Sequence, residues 1–582
     1  MSEGSIETVT SLARAFLEPT NPTHRQYEAL RAYFVDGYSV EEAADRFGYT
    51  TGSFRVMCTR FRKDPGREFF LPTRRGPGTA PKKDELTERV VELRKQNLSI
   101  YDIGRELAGE GKKVAPSSVH EILKKEGFSR LPRRADDERP DVVKPTAGDV
   151  ADRGKLDLSP RQFRTSAGGL FLFLSMIAHL PFDEMMDDVG LPGSAMVPAG
   201  CAMRSLLALK LWGVARTSHV MSHVLDEGLS LFAGLNVIPK RSFLTEYSCR
   251  TDPRCYPELS KRWFDAAREL GLGTGSSFDL DFHTIPFHGA DALVEKHYVS
   301  KRSRRQKGIL AFLAHDAEER VFCYANGTLR KENRDAEVIR FAEFWRDRTG
   351  HLPAELIFDS KLTTYPHLSE LSRMGIPFIT LRRRSAKMLE DIRKEPPGAW
   401  RRIELSNVAR AYRTPRIIDR KDVTLKGYEG PIRQITIADL GHEEPTLLIT
   451  NQMRTSPVKL ITRYAQRMVI ENQIADGIDF FHMDALSSAV AMKVDMDLQL
   501  TLMANSLYRL LGVMVGNGYE MAKSRHIFRD LVDASARITI TDDEILVRFH
   551  KRAHNPLLIA AGFADTNVPV TWLGGKTLRL LF

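Results

Sequence analysis

Three acidic residues and one helical stripe carry the chemistry that this sequence displays. Ser277 to Phe282 alternates Phe278, Leu280 and Phe282 with Asp279 and Asp281, so a strand here presents two carboxylates to one face. Ala354 to Phe358 reads as a buried strand that ends in Asp359. Leu460 to Asp476 reads as a helix on which Tyr464, Arg467 and Glu471, at i, i+3 and i+7, share a face. Carboxylates at a strand centre, at a neighbouring strand end and on a facing helix can converge on two divalent cations about 4 Å apart, as phosphodiester chemistry requires. Asp281 and Asp359 are 78 residues apart and Asp359 and Glu471 are 112 apart, so the fold has to assemble the site.

The elements that must do so are legible in outline. After the Asp281 strand come strand-like runs at Gly308 to Ala314 and Arg320 to Ala325, a helix over Arg334 to Arg348, the Asp359 strand and a strand over Ile376 to Leu381. Three strands, a helix and then alternating elements is the order of a ribonuclease H-like domain. It is interrupted by a β-rich stretch with runs at Arg416 to Ile418, Ile432 to Ile437 and Thr446 to Ile449. The core therefore spans 273–390 and 456–510, with a β-rich insertion over 391–455 and a C-terminal region over 511–582. That last region should end in strands at Ile538 to Ile540, Ile545 to Phe549 and Val570 to Leu573. Residues 156–272 read as a domain that is helical throughout.

Upstream, the same plan occurs twice. In 20–66, Ser39 with Glu42 forms a capping box, Gly48 breaks the helix, and Thr50 or Thr51 caps a third helix bearing Arg55, Arg60, Arg62 and Lys63. In 84–134, Ser99 with Asp102 opens a second helix and Pro116 a third, which offers Ser117, Ser118, His120, Glu121 and Lys124. A short helix, a tight turn and a polar third helix is the helix-turn-helix plan, in which the third helix enters the major groove of DNA. A basic linker, 67–83, joins the modules and contains Arg74 and Arg75, suited to a minor groove. A second linker, 135–155, leads into the helical domain.

Composition agrees with a polyanionic partner. The chain has 582 residues and a net charge of +10. The excess is concentrated: Arg55 to Lys83 contains nine basic and two acidic residues. Lys301, Arg302, Arg304, Arg305 and Lys307 precede one core strand, and Arg382, Arg383, Arg384 and Lys387 follow another, with no acid inside either run. The longest apolar run, Ala167 to Ala178, is shorter than the ~20 residues of a membrane-spanning helix, so no membrane association is expected. Met1 to Thr10 lacks the apolar centre of a secretory signal, and five scattered cysteines without a CxxC pair suggest reduced thiols in a cytoplasm. Gly574-Gly-Lys-Thr577 fails as a phosphate loop because Val570 stands where its first glycine is required, so no nucleotide cofactor is expected.

The run Tyr464-Ala-Gln-Arg467-Met-Val-Ile-Glu471 resembles the Y-x2-R-x3-E signature of cut-and-paste DDE transposases of bacterial insertion sequences, whose core has a β-rich insertion before its final Glu. Asp281 in Phe278-Asp-Leu-Asp-Phe-His and Asp359 in Leu356-Ile-Phe-Asp-Ser are similar to that family's first two motifs. The resemblance implies that Asp281, Asp359 and Glu471 are catalytic and ligate Mg2+ or Mn2+, with two ions, and that Tyr464 and Arg467 contact phosphates of a bound transposon end. It also implies double-stranded DNA partners (terminal inverted repeats and target DNA), a homodimer in a synaptic complex, and a bacterial, nucleoid-associated location. Two positions depart from the pattern: Ile478 replaces a lysine seven residues after the Glu, and His283 replaces a hydroxyl two residues after the Asp. Asp279 competes with Asp281 for the first position; Asp281 is preferred. A non-catalytic DNA-binding regulator and a structure-specific nuclease are the rival readings.

Overall fold

The computed structural model describes residues 21–66, 69, 81–96, 98–112, 114–128, 156–287, 294–299, 304–406, 412–441, 443–484 and 492–582. The chain divides into two compact units, Met1–Ala80 and Pro81–Phe582.

The first unit contains α1 (Pro22–Phe34), α2 (Val40–Arg46) and α3 (Thr51–Lys63). Local chemistry sets their limits. The Ser39 hydroxyl accepts from Glu42 N–H while Glu42 accepts from Ser39 N–H, closing the capping box. Gly48 turns the chain at φ +69°, and the Thr50 hydroxyl caps α3 by accepting from Ser53 N–H. Ala29, Leu30, Ala43, Ala44, Phe54 and Cys58 form the core of this unit.

The second unit opens with another three-helix module, α4 (Pro81–Lys95), α5 (Ile100–Gly109) and α6 (Pro116–Lys125), packed on Val90, Leu93, Ile103, Leu107, Val119 and Leu123. Ser99 and Asp102 form the second capping box. The stretch read as helical throughout instead starts with a strand, β1 (Arg161–Thr165), before α7 (Leu170–Ile177), α8 (Ala199–Leu211) and α9 (Cys255–Glu269). The partner of β1 lies far downstream, so its short RQFRT run has no local signal.

Strands β2 (Ser277–Pro286), β3 (Lys296–Val299), β4 (Arg304–Asp316) and β5 (Val321–Leu329) come next. They are followed by α10 (Glu337–Thr349), β6 (Glu355–Phe358), α11 (Tyr365–Arg373) and β7 (Phe378–Leu381). β2 is antiparallel to β4, β4 is antiparallel to β5, and β2, β6 and β7 run parallel.

The β-rich stretch contributes β8 (Arg401–Arg402), β9 (Arg416–Thr424), β10 (Pro431–Ala438) and β11 (Thr446–Thr450). These strands do not make a separate body. β11 pairs antiparallel with β7, so a single sheet runs in the order β3-β4-β2-β6-β7-β11-β10-β9-β8, with β5 also on β4.

Helices cover both faces of this sheet. α10 and α11 pack on the face that receives Phe278, Leu280 and Phe358. The opposite face is covered by α12 (Pro457–Gln466), through Leu460 and Ile461, by α13 (Met468–Asp479), through Ile470 and Ile474, and by α14 (Met492–Val515), through Val494, Leu498 and Leu502. Residues Val494–Val515 are apolar enough to cross a membrane by length and composition, but 83% of the most apolar stretch is buried inside the protein, which marks a core helix.

The tail supplies β12 (Ala536–Ile540), β13 (Glu544–Phe549), β14 (Val568–Pro569) and β15 (Thr577–Leu581). With β1 they form a five-stranded sheet in the order β1-β12-β13-β15-β14. Val570 to Leu573, expected as a strand, contains a 3-10 turn over Thr571–Leu573, and the last strand lies farther on. One apolar core joins Leu170, Phe173, Leu207 and Trp263 to Tyr508, Ile538, Val547 and Leu580, so the helical stretch and the tail pack as one body.

Leu448 on β11 is fully buried opposite Leu381 of β7. Leu448→Ala should cost about 2–5 kcal/mol. Because the sheet is continuous, amide hydrogen exchange should accelerate in β6 and β7 as well as in β10; acceleration confined to β9–β11 would show a separate body.

Candidate active site

The site is built on the face of β2 opposite the one that packs under α10. Phe278 and Leu280 enter the core under α10, which turns Asp279, Asp281 and His283 toward α12 and α13. The parallel pairing of β2 with β6 ends at Leu280↔Phe358. Asp281 is therefore the next residue of β2, and Asp359 is the residue just past the end of β6. The Asp359 carboxylate accepts from Ser360 N–H at 2.6 Å where β6 ends.

Helix and strand meet with matched repeats. Two residues of strand advance about 6.7 Å and four residues of helix about 6 Å, so alternate strand residues face successive helical turns. Arg463 lies 2.9 Å from Asp279, and four residues later Arg467 lies 3.3 Å from Asp281. A second nitrogen of Arg467 donates to Glu471 at 2.9 Å. The Arg467 guanidinium thus joins the first and third acids of the predicted triad, and it also lies over the Tyr464 ring at 5.9 Å. The helix expected to be continuous through these residues breaks at Arg467. There, i to i+3 hydrogen bonds from Arg467 N–H to Tyr464 and from Ile470 N–H to Arg467 tighten the turn.

The electrostatics bring Asp359 in with Asp281, Glu471, Arg467 and Tyr464. Burial raises the Asp281 carboxyl above its ordinary value; Arg467 opposes the shift, and the charges of Glu471 and Asp359 add to it. Burial works against the Arg467 charge, but Asp281, Tyr464, Glu471 and Asp359 together hold its pKa above the usual arginine value. The Tyr464 phenol is pushed up to about 12, mainly by burial, with Asp359 and Asp281 contributing, so it stays protonated.

Asp279 has a different environment. It is fully buried and paired with Arg463, which also donates to the Ser277 hydroxyl at 2.9 Å and lies 3.3 Å from Glu355, while the charge of Arg467 acts on it from farther off. The Asp279–Arg463 approach is close but off-line, and neither Asp279 oxygen receives an aligned hydrogen bond. Arg463 and its ion pair were missed in the sequence. The signal available was the i, i+4, i+8 stripe Arg463, Arg467, Glu471 set against the alternating acids of β2. Also unforeseen is a 2.7 Å contact between His283 and Asp484, which ties β2 to the chain beyond α13.

A cavity of about 380 Å³ adjoins Asp359, with Arg334, Thr363, Tyr365, Thr380 and Arg383 in its wall. The buried Thr380 hydroxyl there has no hydrogen-bond partner. Arg383 is exposed, whereas Arg384 is engaged with Glu444 at 3.5 Å and with the Glu444 and Pro445 carbonyls. Arg305 is exposed on β4; Lys301 and Arg302 lie outside the described residues, as does the side chain of Arg304. On α3, Arg60 and Lys63 are exposed, Arg55 pairs with Glu41 at 2.8 Å, and Arg62 donates to the Tyr33 hydroxyl at 3.1 Å. Arg74 and Arg75 lie outside the described residues.

Three carboxylates supply the hard oxygen donors that Mg2+ or Mn2+ prefers. As they stand, no three His, Cys, Asp or Glu side chains among the described residues are grouped to hold an ion. The positive charge between Asp281 and Glu471 is that of Arg467, so these two carboxylates are paired with a cation of the chain itself.

The stretch that holds this site, residues 273–504, matches the family model of the transposase DDE domain. Among solved structures, the chain is similar to the piggyBac transposase in its synaptic complex with hairpin DNA, at 10% identity and a TM-score of 0.33, over 61% of this chain and 83% of that one. No curated protein matches the chain.

Removing one partner of a buried ion pair strands the other charge. Arg463→Met should therefore cost about 3–5 kcal/mol, with Arg463→Met/Asp279→Leu recovering most of the loss in urea unfolding. A double variant no more stable than the single one would show that the two charges are not coupled.

Proposed function

We propose that the protein is a DNA transposase that binds the terminal inverted repeats of a mobile element and performs metal-dependent strand cleavage and strand transfer. The observation that carries this reading is that Arg467 joins Asp281 to Glu471, with the Asp359 charge acting on the same groups, inside the stretch that matches the transposase DDE domain. The strand order of β5-β4-β2-β6-β7, with the first three antiparallel and the last three parallel, supports a ribonuclease H-like core. The Y-x2-R-x3-E run supports kinship with the insertion-sequence group.

Asp281, Asp359 and Glu471 would hold Mg2+ or Mn2+, and Asp279 is withdrawn from that role by Arg463. Two such ions, when bound, supply Lewis acidity at the scissile phosphate and charge stabilisation for the attacking and leaving oxygens. The chain's own groups do the rest. Arg467 presents a planar fork that suits a phosphate, Tyr464 offers a phenolic proton that burial keeps in place, and exposed Arg383 extends the positive surface beside Asp359. The two three-helix modules fit helix-turn-helix readers of the end sequence: α3 carries Arg60 and Lys63, and α6 carries Ser117, Ser118, His120, Glu121 and Lys124, all exposed. Action as a homodimer on two ends, followed by joining to target DNA, completes the reading.

The test uses duplexes of the DNA bordering the gene, with Mg2+ or Mn2+. The wild-type chain should cleave at the element's ends, while Asp281→Asn, Asp359→Asn and Glu471→Gln should each lose at least about a thousandfold in rate and still bind the duplex. Wild-type rates in any of the three would overturn the assignment of that residue. Binding without cleavage by the wild-type chain would favour a regulator.

A further inference from the structure

Two arginines one turn apart hold the two aspartates of β2, and they hold them differently. Arg463 is locked in place: its Asp279 partner is fully buried, and it is bonded to Ser277 and close to Glu355 besides. Arg467 is held by Asp281, by Glu471, whose side chain is 52% exposed, and by the face of Tyr464. Its two terminal nitrogens reach two different carboxylates, so the guanidinium sits between groups that a divalent ion would have to share.

We propose that Arg467 is an exchangeable cation that keeps divalent metal out of the carboxylate site until a DNA phosphate draws the guanidinium away, so that metal loading depends on bound DNA. The proposal rests on the reading of Asp281, Asp359 and Glu471 as the metal ligands. A metal ion and a guanidinium on the same carboxylate oxygens repel each other at short range in a partly buried site, so the two compete. A phosphate provides the same paired oxygen acceptors as the carboxylates and can take over the arginine fork. Once the arginine leaves, Asp281 and Glu471 lose the cation that balances them and their affinity for a divalent ion rises. Arg463 stays behind, keeping Asp279 neutralised and α12 seated on β2.

The experiment is Mn2+ binding to the full-length chain, followed by electron paramagnetic resonance. Without DNA, Arg467→Gln and Arg467→Met should bind Mn2+ at least about tenfold more tightly than wild type, and Arg467→Lys, which keeps the charge, should stay near wild type. Adding a duplex of the DNA bordering the gene should tighten Mn2+ binding in wild type and leave the neutral variants little changed. Neutral variants that bind Mn2+ no better than wild type would overturn the proposal. So would an Arg467→Lys variant that matches them, or a wild-type affinity that DNA does not alter; the last measurement needs no variant to fold. Failure of the underlying reading is separable: Mn2+ binding by Arg467→Gln that survives Asp281→Asn with Glu471→Gln would show that the ion sits elsewhere.

Discussion

The seating of α12 and α13 on β2 depends on a buried charge pair. Asp279 lies on a strand covered on both faces, where an unpaired carboxylate is costly. Arg463 is the cation that pairs with it, and its bonds to Ser277 and its approach to Glu355 leave it few other positions. With that contact fixed, the next turn of helix and the next outward residue of strand must also meet. The Arg467–Asp281 contact is thus placed by the pair beneath it, and Glu471 follows one turn later.

Sheet continuity provides the rigid base. The β-rich stretch, which interrupts the core in sequence, extends it in space: β11 hydrogen-bonds to β7, and Asn451, just past β11, accepts from Phe378 N–H and donates to the Ile376 carbonyl. The chain that leaves the Asp359 strand is thereby returned beside β7, that strand's neighbour, before entering α12. A long excursion outside the sheet would leave α12 and α13, which carry Arg463 and Glu471 with Arg467 at their junction, free to shift against β2. The shared core of α7, α8, α9, α14 and the C-terminal sheet buttresses α14, which itself covers the sheet behind the site.

Much of this was legible from sequence where local chemistry decides. Capping boxes at Ser39–Glu42 and Ser99–Asp102, the helix start at Pro116 and the alternation through Phe278, Leu280 and Phe282 depend on neighbours a few residues apart, and the structure has them as read. Long-range pairing was not legible. β1 is a strand because β12, some 370 residues later, offers it an edge, and Val570 to Leu573 is not one despite its apolar residues. The expected continuous helix breaks at Arg467, where two carboxylates from different elements engage its side chain.

By itself, the sequence determined which residue types share a face: Asp279 with Asp281 on a strand, and Tyr464, Arg467 and Glu471 on a helical stripe that the break at Arg467 does not disperse. Periodicity encodes faces because side-chain direction follows from backbone repeat alone. Tertiary structure decided depth and partnership. Asp279 is shut in with Arg463, while Asp281 meets Arg467 in company with Glu471 and Asp359. That difference arises from where α12 crosses β2, which is set by contacts between segments nearly two hundred residues apart that no local pattern records.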